Sequence, residues 1–157
     1  MNRLKILSIL LIIILIGSCE NDSNNENDVN DLKDVKWMLI GFQSQDTHKV
    51  EFKPENLKEM DIEFNHDTYT HTDNWIHAIS SCNFFDGDYS VADPDIIRID
   101  NLYTTLINCE GDTVRDWEER YYNELKNAKN YHMAGDSLII ETKLNTDIIF
   151  LTDSITN

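Results

Sequence analysis

Three cysteines hold most of the chemistry that this chain's side chains could do, and their positions separate them into one and two. Cys19 closes the stretch LIIILIGSCE, Leu11 to Glu20, with Gly17 and Ser18 directly before it. Small residues between an apolar run and a cysteine form a lipobox: the thiol is acylated, and the chain is then cut ahead of it. Arg3 and Lys5 lead, and the unbroken apolar run from Ile9 to Ile16 is too short for a membrane span of about 20 residues. Residues 1–18 therefore read as a lipoprotein signal peptide and Cys19 as the lipid attachment site. An uncleaved anchor and ordinary signal cleavage nearby are the alternatives. Cys82 and Cys109 are then an even pair in an exported chain. A disulfide between them would close a loop of about 27 residues and be worth roughly 3 kcal/mol by chain entropy. Two reduced core thiols are the other reading, and no CxxC or matched histidine spacing accompanies them to hold a metal.

The remaining candidates are weaker. His48, His66, His71, His77 and His132 form no HExxH and no pair at helical spacing. Asp86, Asp88, Asp93 and Asp95 crowd two turns without the Asp-x-Asp-x-Asp-Gly order of a calcium loop, so they read as a solvated acidic rim. There is no GxSxG, SxxK or glycine-rich phosphate loop, and Ser80 and Ser81 have no base beside them in the sequence. The expectation is a protein with no catalytic residues, no metal and no cofactor.

Charge narrows the partners. The chain carries 13 Lys+Arg and 29 Asp+Glu. Loss of Arg3 and Lys5 with the signal peptide would leave 11 against 29, a charge of −18. Such a surface repels phosphate backbones, so no nucleic acid is expected. The membrane is the first expected partner, through acyl chains on Cys19 that bury methylenes worth about 0.8 kcal/mol each. Residues 19–34, ENDSNNENDVNDLKD after the cysteine, have too little apolar surface to offset their ordering entropy and read as an acidic, flexible tether. The expected place is the cell envelope, and the acids after Cys19 are compatible with the outer membrane, on its periplasmic or surface face.

Positioning these residues falls to residues 35–157, which are enough for one domain with a single core. Alternation dominates. KWMLIGFQ puts Trp37, Leu39 and Gly41 on one face, MDIEFNHDTYTH puts Met60, Ile62 and Phe64 opposite Asp61 and Glu63, and DIIRID and DSLIIETK share the same habit. Turn signals at 85–88, 92–95, 134–137 and 144–147 separate eight or nine short strands, centred near 36, 49, 61, 76, 88, 97, 131, 138 and 148. One segment breaks the pattern: Val114, Trp117, Tyr121, Leu125 and Ala128 recur at three and four, with Glu118, Arg120 and Lys126 turned away, and Asp112 or Thr113 can cap the start. The fold class is mainly β, a curved antiparallel sheet or cracked barrel of about eight strands, with this helix inserted between the sixth and seventh and covering an open side or end.

SCNFFDGDY at 81–89, IIRIDNLYTTLINC at 96–109, WEERYYNEL at 117–125, YHMAGDSLIIE at 131–141 and a closing DIIFL resemble the META domain family of HslJ-like envelope lipoproteins. The family pattern falls on Cys82, Asn83, Gly87, Tyr89, Thr105, Cys109, Glu118 and Leu138, with an opening Trp37-x-Leu39. Ser81 stands where the family usually has Gly. The resemblance covers nearly all of residues 36–152 and implies a small barrel-like domain on an envelope lipoprotein, without implying catalysis.

Within that pattern Gly87 suits a tight hairpin with positive φ, Asn83 a turn or bulge where its amide meets local backbone, and Tyr89 and Thr105 core and strand positions. The functional expectation is a non-catalytic interaction or envelope-maintenance module, stress-related, with an unknown envelope protein as partner. The alternative is a binding protein for an apolar ligand or lipid inside the barrel. The fold implied is similar to that of a secretion pilot lipoprotein whose cracked barrel holds an acyl chain, and Trp37, Phe42, Phe64, Trp75, Phe84 and Phe85 would line such a cavity or else fill the core.

Overall fold

The computed structural model describes residues 32–67, 72–92 and 95–153. The signal peptide, Cys19 and most of the tether lie outside them, as does part of the turn at 92–95. Nine strands run in order: β1 (Lys36–Ser44), β2 (Val50–Phe52), β3 (Asp61–Asp67), β4 (Thr72–Ile79), β5 (Phe84–Ala92), β6 (Ile96–Thr104), β7 (Ala128–Ala134), β8 (Ser137–Thr142) and β9 (Thr146–Thr152). The helix α1 (Asp112–Lys126) sits between β6 and β7, where the aromatic stripe predicts it. No helix among the described residues is long and apolar enough to cross a membrane.

All neighbours pair antiparallel in the order β2-β1-β3-β4-β5-β6-β7-β8-β9, and β9 returns to β1. Eight strands thus close into a barrel, with β2 as an extra strand laid on the far half of β1. One residue makes that possible. A Cβ on Gly41 would stand 2.3 Å from the carbonyl oxygen of Glu51, so β2 can cross there only over a residue with no side chain. A register shift between Leu39 and Gly41 in the β1–β9 ladder turns Phe42 inward as well as Trp37 and Leu39.

The inward faces are those the alternation marks. Met60, Ile62, Phe64, Ile76, Ile97, Leu138, Ile140, Ile148 and Phe150 are fully buried. Each buried side chain of this size contributes about 1.5–3 kcal/mol of transfer free energy. Two expectations at the edges of this core change. Asp61, expected on the outer face of β3, is 1% exposed. Leu32, within the segment read as tether, is fully buried, and its carbonyl oxygen accepts from Trp37 Nε1 at 3.3 Å while the Asp34 N–H donates to the Phe64 carbonyl at 3.2 Å. The packed chain therefore includes Leu32, ahead of the expected boundary at 35.

α1 lies across the barrel end formed by the start of β5 and the finish of β4 and β6. Its Trp117, Tyr121 and Leu125 are buried. Trp117 meets Phe42 at 5.2 Å between ring centres, Tyr121 meets Phe85 at 5.7 Å and Phe150 at 6.2 Å, and Tyr122 meets Phe85 at 5.4 Å. Two phenols tie the helix to backbone: Tyr121 OH donates to the Asp61 carbonyl at 3.0 Å and Tyr122 OH to that of Leu102 at 3.2 Å. Its N-cap is Gly111, at φ 92, without a side-chain bond, so neither Asp112 nor Thr113 caps it. Asp112 instead pairs with Arg115 one turn on.

Candidate functional site: a polar staple at one barrel end

β4 and β5 pair up to Ile79↔Phe84, which leaves Ser80 to Asn83 as the loop joining them. The Ser80 N–H donates to the Asn83 carbonyl at 2.8 Å, and Ser80 Oγ receives the Asn83 N–H at 2.9 Å. This local closure aims the Asn83 side chain at α1 and at the segment after β6. Asn83 Nδ2 donates to Glu118 Oε1 at 2.6 Å and to the Ile107 carbonyl at 3.2 Å. Its Oδ1 accepts from Thr105 Oγ1 and from the Ile107 N–H, both at 2.8 Å. Both donors and both acceptor sites of the amide are used, as a buried amide requires.

Glu118 is the other half of the arrangement. Its Oε2 receives Ser80 Oγ at 2.5 Å and the Asn83 N–H at 3.1 Å. Charge-assisted bonds of this kind are about twice as strong as neutral ones. Thr105 Oγ1 passes the chain on by accepting the Phe84 N–H at 3.1 Å. Cys82 and Cys109 are joined in a disulfide across the same spot, with Cα atoms 5.9 Å apart. Asn83 Nδ2 also lies 3.3 Å from Cys109 Sγ. Cys82, Cys109 and Glu118 are the one grouping of potential metal ligands among the described residues, and the disulfide takes both thiolates out of that set. What the cluster does chemically is hold three chain segments together.

Five of the residues singled out in the sequence, Cys82, Asn83, Thr105, Cys109 and Glu118, therefore meet in one place, and four do not. Trp37 and Leu138 are core. Tyr89 is buried edge-on to Phe64 at 5.1 Å, and burial, then the neighbouring Tyr131 and Asp34, push its phenol up to about 12. Gly87 is not in a turn. It lies inside β5 at a register shift between Asp86 and Asp88, where an added Cβ would be 2.9 Å from the Asp100 carbonyl oxygen and 3.2 Å from Leu102 Cα. The need there is close approach of β6, not positive φ. Thr105 is exposed and lies just past the end of β6, so its work is the bond to Asn83 and not a place in a strand.

Sequence reasoning missed two features. Ser80 belongs to the staple, and the four-residue loop SSCN between alternating runs was its signal. His77 Nδ1 lies 2.6 Å from Asp86 Oδ1 across β4 and β5, with Phe84 stacked on the imidazole at 5.8 Å. Reading the SSCN hairpin would have set that register. Among the described residues no hydroxyl or thiol bonds to His77 Nε2, so the pair does not extend to a nucleophile.

Among the clefts bordered by described residues, those of about 260, 430, 290 and 380 Å³ are each lined by at most one of the six aromatics considered for a ligand cavity. Trp37, Phe42, Phe64 and Phe85 fill the interior, and Phe84 is 42% exposed outside it.

Among solved structures, the NMR structure of a protein from Burkholderia xenovorans superposes with a TM-score of 0.65 at 18% identity, covering 83% of this chain and 89% of that one. A second NMR structure gives 0.58 at 14% identity, over 82% and 97%. The crystal structure of a DUF4847 family protein from Bacteroides vulgatus gives 0.56 at 14% identity, over 78% and 94%. At these identities they show a shared fold. No curated protein sequence matches the chain. The META domain profile matches residues 30–154, a span that begins beside the buried Leu32 and takes in the whole barrel, the helix and the staple, and on that match this chain belongs to the META domain family.

Proposed function

We infer that this META domain is a non-catalytic interaction module of the cell envelope, tethered through lipid on Cys19 and serving envelope maintenance by contact with another envelope protein. One observation carries the reading. The staple saturates its polar atoms internally and, in doing so, fixes a segment whose apolar side chains face outward: Leu106 is 93% exposed, Tyr103 63% and Ile107 54%, beside Phe84. Apolar groups held out on a braced segment are a feature of surfaces that other molecules cover. The half-buried Glu118 carboxylate, with both oxygens already occupied by Ser80 and Asn83, is a poor general base, because a base needs a lone pair free for the substrate's proton.

The test is site-specific photo-crosslinking in intact envelopes from positions 103 and 106, against Asp136 in the β7–β8 turn at the opposite barrel end. A discrete adduct from 103 and 106 and none from 136 is expected, and equal labelling from all three would count against the reading. The anchor has a separate test. Cys19→Ser should lose acyl label and leave the membrane fraction, and an unchanged membrane fraction would refute lipidation.

A further inference from the structure

We propose that the cleft where β6 and β7 part is a binding site for a phosphate monoester group. It goes beyond the interaction reading and does not depend on it. β6 and β7 share one residue pair, Ile96↔Asn130, reinforced by the Tyr131 N–H on the Asp95 carbonyl at 2.8 Å. Beyond that point the strands separate around a cleft of about 380 Å³. Arg98 comes from β6, Lys129 and Asn130 from β7, and Lys143 from the turn after β8, and all four line it.

The composition makes this grouping informative. In a chain with 29 acids and 13 basic residues, cations are the scarcer charge. Lys36 pairs with Asp61 and Glu59, Arg115 with Asp112, and Arg120 with Glu51 and Glu124, while Lys49, Lys53, Lys58 and Lys126 form no ion pair among the described residues, so it is the gathering of three cations at one place that marks the cleft. Arg98, Lys129 and Lys143 have no ion pair among the described residues, yet they border one cleft. Asp100 is the carboxylate in its lining and Glu141 stands behind it on Asn130, so the three cations exceed the two nearby acids. A phosphate monoester carries about −1.5 to −2 near neutral pH and offers three acceptor oxygens, one for each cation, where a carboxylate offers two. Arg98 supplies a planar donor fork, the two lysines supply point charges, and Asn130, held from behind by Nδ2 on Glu141 at 3.0 Å, adds a fixed polar group. Ile96, 39% exposed on the same cleft, offers apolar cover to whatever bears the phosphate.

The group could come from a soluble ester or from a lipid headgroup, and the experiment separates them. The full chain in non-ionic maltoside micelles is titrated with glycerol phosphate, and in a second arm with phosphatidic acid dissolved in the micelles, at constant ionic strength, while backbone amide shifts are monitored. Saturable shifts confined to residues 96–98, 128–130 and 143 are expected in at least one arm, and the arm that responds at lower concentration names the source. Lys129→Gln with Lys143→Gln should weaken binding at least tenfold, while Lys58→Gln with Lys49→Gln, the same charge change elsewhere, should leave it unaltered. Shifts in neither arm, or equal weakening by both double variants, would overturn the site, since the second result marks diffuse screening.

Discussion

The barrel is closed twice, by different means. Between β1 and β9 the ladder runs from Trp37↔Thr152 to Ser44↔Thr146, and backbone does the closing. Between β6 and β7 it is the single pair Ile96↔Asn130. The thin side is where the side-chain devices gather: α1 spans from β6 to β7, Tyr122 OH takes a carbonyl of β6, and the disulfide and the Asn83–Glu118 bonds pin the chain between β6 and the helix. Backbone ladders need no particular side chains, whereas a staple does. For that reason five residues of the family pattern gather at the staple, while Trp37 and Leu138 lie in the core on strands paired with β9.

The difference has a testable size. Asn83→Ala would orphan the Ile107 N–H, the Thr105 hydroxyl and part of the Glu118 carboxylate together. The bond to the Glu118 carboxylate is worth about 1.5–3 kcal/mol and those to Thr105 and Ile107 about 0.5–1.5 kcal/mol each, so a loss of about 4 kcal/mol in urea unfolding is expected. Gln45→Ala removes a bond of similar length, Nε2 to Asp147 Oδ1 at 2.6 Å, but on the laddered side and partly in solvent. It should cost under about 1 kcal/mol. Comparable losses from the two variants would break the comparison.

Next in size is the covalent part of the staple. Replacing both Cys82 and Cys109 with Ser should remove about 3 kcal/mol, seen as a melting temperature lower by about 10 °C. Intact mass of the wild type should rise by two hydrogens on reduction, with both thiols alkylated only afterwards. Free thiols before reduction would refute the pairing. Gly87→Ala probes how closely β6 is allowed to lie on β5. Its Cβ would press on the Asp100 carbonyl, backbone that cannot swing aside, so a loss of about 2 kcal/mol is expected. Amide exchange should quicken along β6 but not along β9, and uniform quickening would mean the seam is not a distinct region.

How much of this the sequence displays obeys the same division. Period-two alternation marks the barrel strands because each has one face in the core, while β2, whose Val50–Phe52 has no buried residue, has no such signal, and Trp117, Tyr121 and Leu125 mark the helix by the same burial. Cys82, Asn83, Thr105, Cys109 and Glu118 are visible as a pattern, but their convergence is not. It depends on the SSCN hairpin fixing which atoms face α1, and Glu118 looks like a solvent residue on a helical wheel. Gly87 reads as a turn since glycine between aspartates does so locally, and only the nearness of β6 gives it another reason to be glycine. Asp61 reads as outward by alternation, and nothing local says that Lys36 will cover it.

Asp61 gives the smallest and most specific comparison, between a buried polar group that is saturated and one that is not. The Asn83 amide has a partner for every site. The Asp61 carboxylate, equally buried, forms no well-directed hydrogen bond and has Lys36 Nζ at 3.2 Å as its ion-pair partner. Burial raises its affinity for a proton above the ordinary 3.8, Lys36 opposes that, and Glu59 and Glu63 add to it. Below 3.8 the carboxyl is protonated in both the folded and the unfolded chain. From there up through its raised folded value, the unfolded chain has given up the proton and the folded chain still holds it, so this group's contribution to stability falls as pH rises and is fully lost above that window. Asp61→Asn removes the titration, while Lys36 keeps Glu59 at 3.6 Å. The difference in unfolding free energy between variant and wild type, measured from pH 3.5 upward, should move in favour of the variant across the window and then level off. The other carboxylates cancel in that difference. A difference that stays flat with pH would mean that Lys36 compensates Asp61 in full, and that the two buried polar groups are equally well satisfied after all.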